Sequence, residues 1–285
     1  YTPAEYVEKI KETQTDKEGF TIALYVDDVE GKNAFVEAAK AKGYDILEMN
    51  GQLDSHYIQY YESKNEKVRF VRVDSDVVEN LIRKEERAAM SLSSEQQEIM
   101  RPVFESQMPT DAKIHYHVSF EAMSKDAAPV VITQNEFMRR MKDMAATSGG
   151  EMSRFYGEMP DNFTITVNGN HPIVLDILGE VEREYGDKLR TMGKKITAAE
   201  QEEHRFEETI KGKKSEELTP EERDMQEMLS KRITELRMER DSRLEEIGKA
   251  NNKVRQIIDL ALLSNGMLKG KNLTEFIQRS ISLIE

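Results

Sequence analysis

Residues 20–73 read "FTIALYVDDVEGKNAFVEAAKAKGYDILEMNGQLDSHYIQYYESKNEKVRFVRV", and two periodicities alternate along them. Phe20–Val26, Tyr44–Met49 and Lys67–Val73 are short apolar runs rich in strand formers. Between them, "NAFVEAAKAKGY" and "LDSHYIQYYESK" read as helices. The first carries Phe35, Ala38, Ala39 and Lys42 along one side and ends at Gly43. Strand–helix–strand–helix–strand with such short connections predicts a small parallel sheet layered with helices, a three-layer α/β/α domain. A helix over about residues 3–14 opens the chain, with Thr2 as N-cap, Pro3 in the first turn and Glu5 closing a capping box. This domain is expected to span residues 1–90.

Beyond it the pattern changes, and the whole reads as α+β. Residues 91–110 predict a helical linker capped by Ser94, and residues 111–285 a helix-rich α+β domain. "KIHYHVSF" (113–120) and "PVVIT" (129–133) predict a hairpin, followed by a helix in "TQNEFMRRMKDMAATSGG" (133–150) with Thr133 and Glu136 as its capping box. "FTITV" (163–167) is a further strand, and Pro172 opens another helix, with His171 at its entry. Roughly half of residues 180–250 are charged, and two more capping boxes stand at Thr197–Glu200 and Thr219–Glu222. Met225, Leu229, Ile233, Leu236, Leu244 and Ile247 form a narrow seam broken by Arg240. A charged helical hairpin inserted at 180–250 is the natural reading, with a disordered charged linker as the alternative.

Composition limits the function. The 285 residues are 38% hydrophobic and 33% charged, which suits a well-solvated, helix-rich protein. No apolar run reaches the roughly 18–20 residues that span a bilayer. Zero cysteines remove disulfides and zinc–thiolate sites and suit the cytoplasm. A net charge of −13 argues against nucleic acid and against an anionic membrane surface as partners. The start at Tyr1, directly before a helix cap, suggests a piece of a longer polypeptide.

Catalytic constellations are hard to find. "GMLKGKN" (266–272) has three residues between its glycines and Asn272 where a phosphate loop needs Ser or Thr, so it reads as a helix–helix turn. His115 and His117 share a strand face without a third ligand at an obvious spacing, and solvated histidines explain them. "VDDVEGKN" offers acids where a phosphate site needs backbone N–H groups. Neither a cofactor nor a metal is therefore expected in this chain.

Two surfaces invite binding. In the last two helices, Val254, Ile257, Ile258, Ala261 and Leu262 fall on one stripe, flanked by Leu260 and Leu263. Phe276, Ile277, Ile281 and Ile284 line the second helix, for which Asn272 and Glu275 supply the cap. Such helices suit an intermolecular four-helix bundle about a two-fold axis, hence a homodimer, or packing within one domain. The second surface is the methionine helix, with Phe137, Met138, Met141 and Met144 among Arg139, Arg140, Lys142 and Asp143. Methionine adapts to many partners, and the flanking charges are expected to keep the helix soluble. A core helix fits the same periodicity. On that reading the chain is an adaptor that recruits a protein partner through the 180–250 hairpin.

Several stretches together resemble the HtpG proteins, the bacterial branch of the ninety-kilodalton heat-shock chaperones: "AKAKGYDILEM", "LDSHYIQYY", "PVVITQNEFMRRM", "NGNHPIV", "QIIDLALLSNGML" and "FIQRSI". The resemblance covers nearly all of the chain outside residues 180–250 and rests on the order of the motifs. It implies that residues 1–90 are the last α/β part of the middle domain and 111–285 the C-terminal dimerisation domain. It implies a cytoplasmic homodimer binding non-native client proteins, with Phe137, Met138, Met141 and Met144 among the contacts. A further aromatic client site is implied at His56, Tyr57, Tyr60 and Tyr61, with His56 where some members carry tryptophan. ATP and magnesium are then expected only in the full-length protein. Two departures stand out: the long 180–250 segment, and an end at "SLIE" without the acidic tail that binds helical-repeat co-chaperones.

Overall fold

The computed structural model of the protein describes residues 1–282 except 84–88, 112, 149–153, 158 and 215–216, together with the side chains of all of these but 147 and 148. The chain forms two compact units. One comprises Tyr1–Leu92, Met108–Val174 and Arg255–Glu285, the other Ser93–Gln107 and Leu175–Val254.

The first unit begins with α1 (Pro3–Ile10), where Thr2 and Glu5 form the expected capping box. A parallel sheet follows, made of β1 (Thr21–Val26), β2 (Ile46–Glu48) and β3 (Val68–Arg72) in the order β2-β1-β3. The crossovers are α2 (Asn33–Ala41) and α3 (Asp54–Lys64), as the alternating pattern requires. Every residue of β1 is buried because helices cover both faces. Ile22, Leu24 and Val26 pack with Val36 and Ala39 of α2 and with Leu81 of the short α4 (Val78–Leu81). Ala23 and Tyr25 pack on the other face with Tyr6, Ile10, Ile58 and Phe70.

The same unit contains a second sheet of β4 (Ile114–Glu121), β5 (Val130–Gln134) and β6 (Asp161–Asn168), in the order β4-β6-β5. The expected β4–β5 hairpin is not formed. β6 lies between them, parallel to β4 and antiparallel to β5. Its Ile165 and Val167 stand opposite Val118 and Phe120 on one side and Ile132 and Val130 on the other, so the inserted strand completes the apolar face. The turn after β6 is a buried polar knot. Asn168 donates to the Ser124 carbonyl at 2.7 Å, and Asn170 donates to the carbonyls of Ala89 and Met123 while accepting from Ser91 N–H at 2.8 Å. His171 Nδ1 accepts from Ile173 N–H at 3.1 Å and so caps the helix that Pro172 opens.

The second unit is helical. α5 (Ser94–Glu105) is capped by Ser93 with Gln96, one residue earlier than Ser94. α7 (Pro172–Thr209) runs unbroken through Thr197, which is therefore helix interior rather than a cap. α8 (Pro220–Ala250) starts at the expected Thr219–Glu222 box. Glu202 pairs with Arg232 at 3.0 Å and Glu200 with Arg237 at 2.7 Å, in reverse order along the two helices. Leu229, Ile233, Leu244 and Ile247 of the seam are buried, while Met225 is exposed. Arg240, which interrupts the seam, finds Asp241 at 2.8 Å and Glu98 of α5 at 3.8 Å. At the end of α8 a Cβ on Gly248 would lie 2.3 Å from the Val103 carbonyl oxygen, so only glycine permits this approach to α5.

Candidate functional site

The methionine helix α6 spans Glu136–Ser148. Thr133 is buried within β5 and is not its cap; Asn135 is, its Oδ1 accepting from Met138 N–H at 3.2 Å. Glu136, Arg139, Arg140 and Asp143 recur at i, i+3, i+4 and i+7 and share one stripe. Contrary to the expectation that the flanking charges keep the helix soluble, Glu136, Arg139 and Arg140 of that stripe face inward, while Asp143 is exposed. Arg139 is only 7% exposed, and Glu136 and Arg140 are half-buried, whereas Phe137, about a quarter-turn from Glu136, is 64% exposed. Met138, Met141 and Met144 are half-buried along its flanks, and Ala145 is covered. The helix therefore docks by its charges and turns part of its apolar stripe outward.

The docking partners come from β1, α3 and β3. Glu136 Oε1 accepts from the Tyr25 hydroxyl at 2.7 Å, from Arg140 Nε at 2.6 Å and from Arg139 Nη2 at 3.0 Å. Arg140 also donates to Glu62 Oε2 of α3 at 2.9 Å and to the Phe70 carbonyl. Glu62 Oε1 in turn accepts from Phe70 N–H at 2.7 Å. Arg139 donates to Asp143 and to the Tyr25 oxygen, with its guanidinium 5.7 Å from the Tyr25 ring centroid. Burial pushes the Glu136 carboxyl up, but Arg139, Arg140 and the Tyr25 and Arg140 hydrogen bonds outweigh it and hold the group below its ordinary value. Burial and the Glu136 charge push the Tyr25 hydroxyl up. Nearby, Arg72 at the end of β3 donates to Asp27 at 2.7 Å, to Asp74 at 2.8 Å and to Gln134 of β5 at 3.3 Å.

The aromatic group on α3 is only partly outward. Tyr60 is 62% exposed, Tyr57 and the preceding Leu53 are exposed, and His56 and Tyr61 are half-buried. Tyr61 packs edge-on against Phe70, with ring centroids 5.8 Å apart. Because Glu62 lies on the same helix, its bond to Arg140 brings the aromatic and methionine helices together. Leu53 and Phe155, 63% exposed, were not singled out from the sequence, because isolated apolar residues carry no periodic signal.

The last two helices are α9 (Asn252–Ser264) and α10 (Gly270–Ser282). The turn between them places Gly266 at φ +65°, and α10 starts two residues before Asn272, so that residue lies inside the helix. Val254, Ile257, Ile258, Ala261, Leu262 and Phe276 are buried by the chain itself. Leu260, Leu263, Ile277 and Ile281 remain exposed. Ile284 lies outside the described residues. Arg255 pairs with Glu275 at 2.6 Å and Arg279 with Asp259, linking the two helices. Burial nevertheless raises the Asp259 carboxyl, since desolvation there exceeds what Arg279 and Arg255 return.

His115 and His117 are exposed on β4. Among the described residues no three His, Cys, Asp or Glu side chains stand together as metal ligands, and no helix is long and apolar enough to cross a membrane.

The family model for the Hsp90 protein matches residues 2–197. The chain belongs to the Hsp90 family. The chaperone protein HtpG of Bacteroides fragilis (strain 638R) is 42% identical over 284 residues, covering 100% of this chain and 41% of that protein. Those of Bacteroides thetaiotaomicron and Porphyromonas gingivalis (strain ATCC 33277) are 40% and 39% identical over the same coverage. The chain thus spans about two-fifths of the length of the curated relatives it matches. Residues 198–285, outside the family match, are covered by these relatives, so the long charged helices fall within the similarity to HtpG.

Proposed function

We propose that this chain is the dimerisation and client-binding part of an ATP-dependent heat-shock chaperone. Residues 1–90 serve as the end of its middle domain, 91–110 as a helical linker and 111–285 as its C-terminal domain. The observation that carries the reading is the inverted docking of α6. A helix that turns Glu136, Arg139 and Arg140 inward and leaves Phe137 64% exposed offers apolar side chains to something outside the described structure. Met138, Met141 and Met144 add adaptable thioethers to that face, and Tyr57, Tyr60, Tyr61 and His56 extend it onto α3. Non-native proteins, which expose apolar segments of many shapes, are the matching partner.

The exposed flank of Leu260, Leu263, Ile277 and Ile281 supports a homodimer through α9 and α10, built on the buried stripe beneath it. Nucleotide binding and hydrolysis, with ATP and magnesium, belong to the longer protein, and the site of action is the cytoplasm. A photo-crosslinking phenylalanine analogue at position 137 tests the client reading. It should capture a chemically unfolded model protein and spare the same protein when native; equal capture of both forms, or of neither, rejects it.

A further inference from the structure

The two hydrophobic clusters of the first α/β layers draw on residues 6 to 82, and neither takes a side chain from α6 or β5. The contacts described between α6 and those layers are polar: Tyr25 to Glu136, Arg139 to Tyr25, Arg140 to Glu62 and Arg140 to the Phe70 carbonyl. The neighbouring β5 end is held the same way, with Gln134 N–H donating to the Asp74 carbonyl at 3.2 Å and Gln134 accepting from Arg72. Charged groups taken out of water recover their hydration only when every donor and acceptor is matched. Here two are not, since Glu136 Oε2 and Arg139 Nε are buried without a partner. A contact made of desolvated, incompletely matched charges is specific in geometry yet small in net stability. An apolar contact of the same size has the opposite balance.

We propose that Glu136, Arg139, Arg140 and Glu62 form a releasable latch that holds the methionine helix against α3 and β3 and sets which of its faces is presented. In the latched state Phe137 points outward and the methionines are half-covered. Release undocks α6 and lets it fray, because a 13-residue helix without its tertiary contacts is marginal, and so frees the covered parts of Met138, Met141 and Met144 while leaving both apolar clusters of the α/β layers intact. This inference rests on the client-binding reading for its purpose, but its test contains no client.

The test is amide hydrogen exchange by mass spectrometry on this chain and on its Glu62→Gln variant. Glutamine retains an acceptor for Phe70 N–H and removes the charge that faces Arg140. Exchange across residues 137–146 should accelerate at least about tenfold, as expected when a charge-assisted bond is lost, with β1 and β3 unchanged. Unchanged exchange in α6 overturns the latch. So does parallel acceleration of α6, β1 and β3, because the cluster would then be a fixed part of the core. If Glu62→Gln fails to fold, Arg140→Lys, which keeps the charge and loses the fork, reads the same segments with the same expected split. Failure here leaves client binding at Phe137 standing, and failure of crosslinking at Phe137 leaves the latch standing.

Discussion

Arg140 of α6 and Glu62 of α3 meet at 2.9 Å, and through that bond the methionine helix and the aromatic helix fix one another. Both partners are half-buried, so solvent screens the pair less than it screens an exposed pair such as Arg190–Asp187 on α7. The adjoining Glu136 accepts three hydrogen bonds on a single oxygen.

A pH dependence follows from Glu136. Its carboxyl is held below the ordinary value of 4.5 in the folded chain, so the folded state binds fewer protons than the unfolded one around that pH. The stabilisation is therefore fully present above 4.5 and is lost as pH falls through the lower folded value. Exchange protection of residues 137–146, corrected for intrinsic rates, should be flat from about pH 6 to 8 and fall in acid. In Glu136→Gln the protection should be weaker at neutral pH and much less sensitive to acid. An unchanged acid response in that variant would assign the transition to another group.

The exposed and buried flanks of α9 and α10 separate assembly from folding. Leu260→Asp combined with Ile277→Asp alters two outward side chains and should leave stability within about 0.5–1 kcal/mol of the parent. Light scattering should show monomers. Ile258 is 1% exposed, so Ile258→Asp buries a charge and should destabilise the fold by more than about 3 kcal/mol. A dimer that survives the outward pair of substitutions would locate the interface elsewhere.

Close approach at Gly248 gives a test in the helical unit. Gly248→Ala places a methyl 2.3 Å from the Val103 carbonyl oxygen and 2.3 Å from Ser106 Oγ. The backbone contact cannot be relieved by a rotamer change, so a loss of about 1–3 kcal/mol in urea unfolding is expected. A neutral result would show that α5 and α8 can slide apart at this point.

The parts of this architecture that arise from neighbouring residues were legible in the sequence. Apolar runs between glycine and polar breaks located β1, β2, β3, α2 and α3, because each crossover in a parallel sheet is local in sequence. The β4–β5 pairing was misread because β6 arrives from beyond α6, and no periodicity in "KIHYHVSF" or "PVVIT" records a strand inserted from so far along the chain. The caps differed where more than one residue was competent: Ser93 beside Ser94, and Asn135 near Thr133. The orientation of α6 is not written in its periodicity. An arginine at a helix surface and an arginine buried on two carboxylates carry the same letter, and the available hint was the spacing of Glu136 three and four residues before Arg139 and Arg140. A binding role for α3 is expected only from the family resemblance, since its Tyr57, Tyr60 and Tyr61 show no clean apolar stripe.

The most direct test of the outward-facing methionine helix is a fluorescence anisotropy titration of a labelled, permanently unfolded protein against the parent chain and Phe137→Asp. Losing one buried phenylalanine contact, worth about 1.5–3 kcal/mol, should raise Kd at least about tenfold while leaving the thermal melt in place. An unchanged Kd, or a weakened Kd accompanied by a collapsed melt, would contradict the assignment of this helix to client binding.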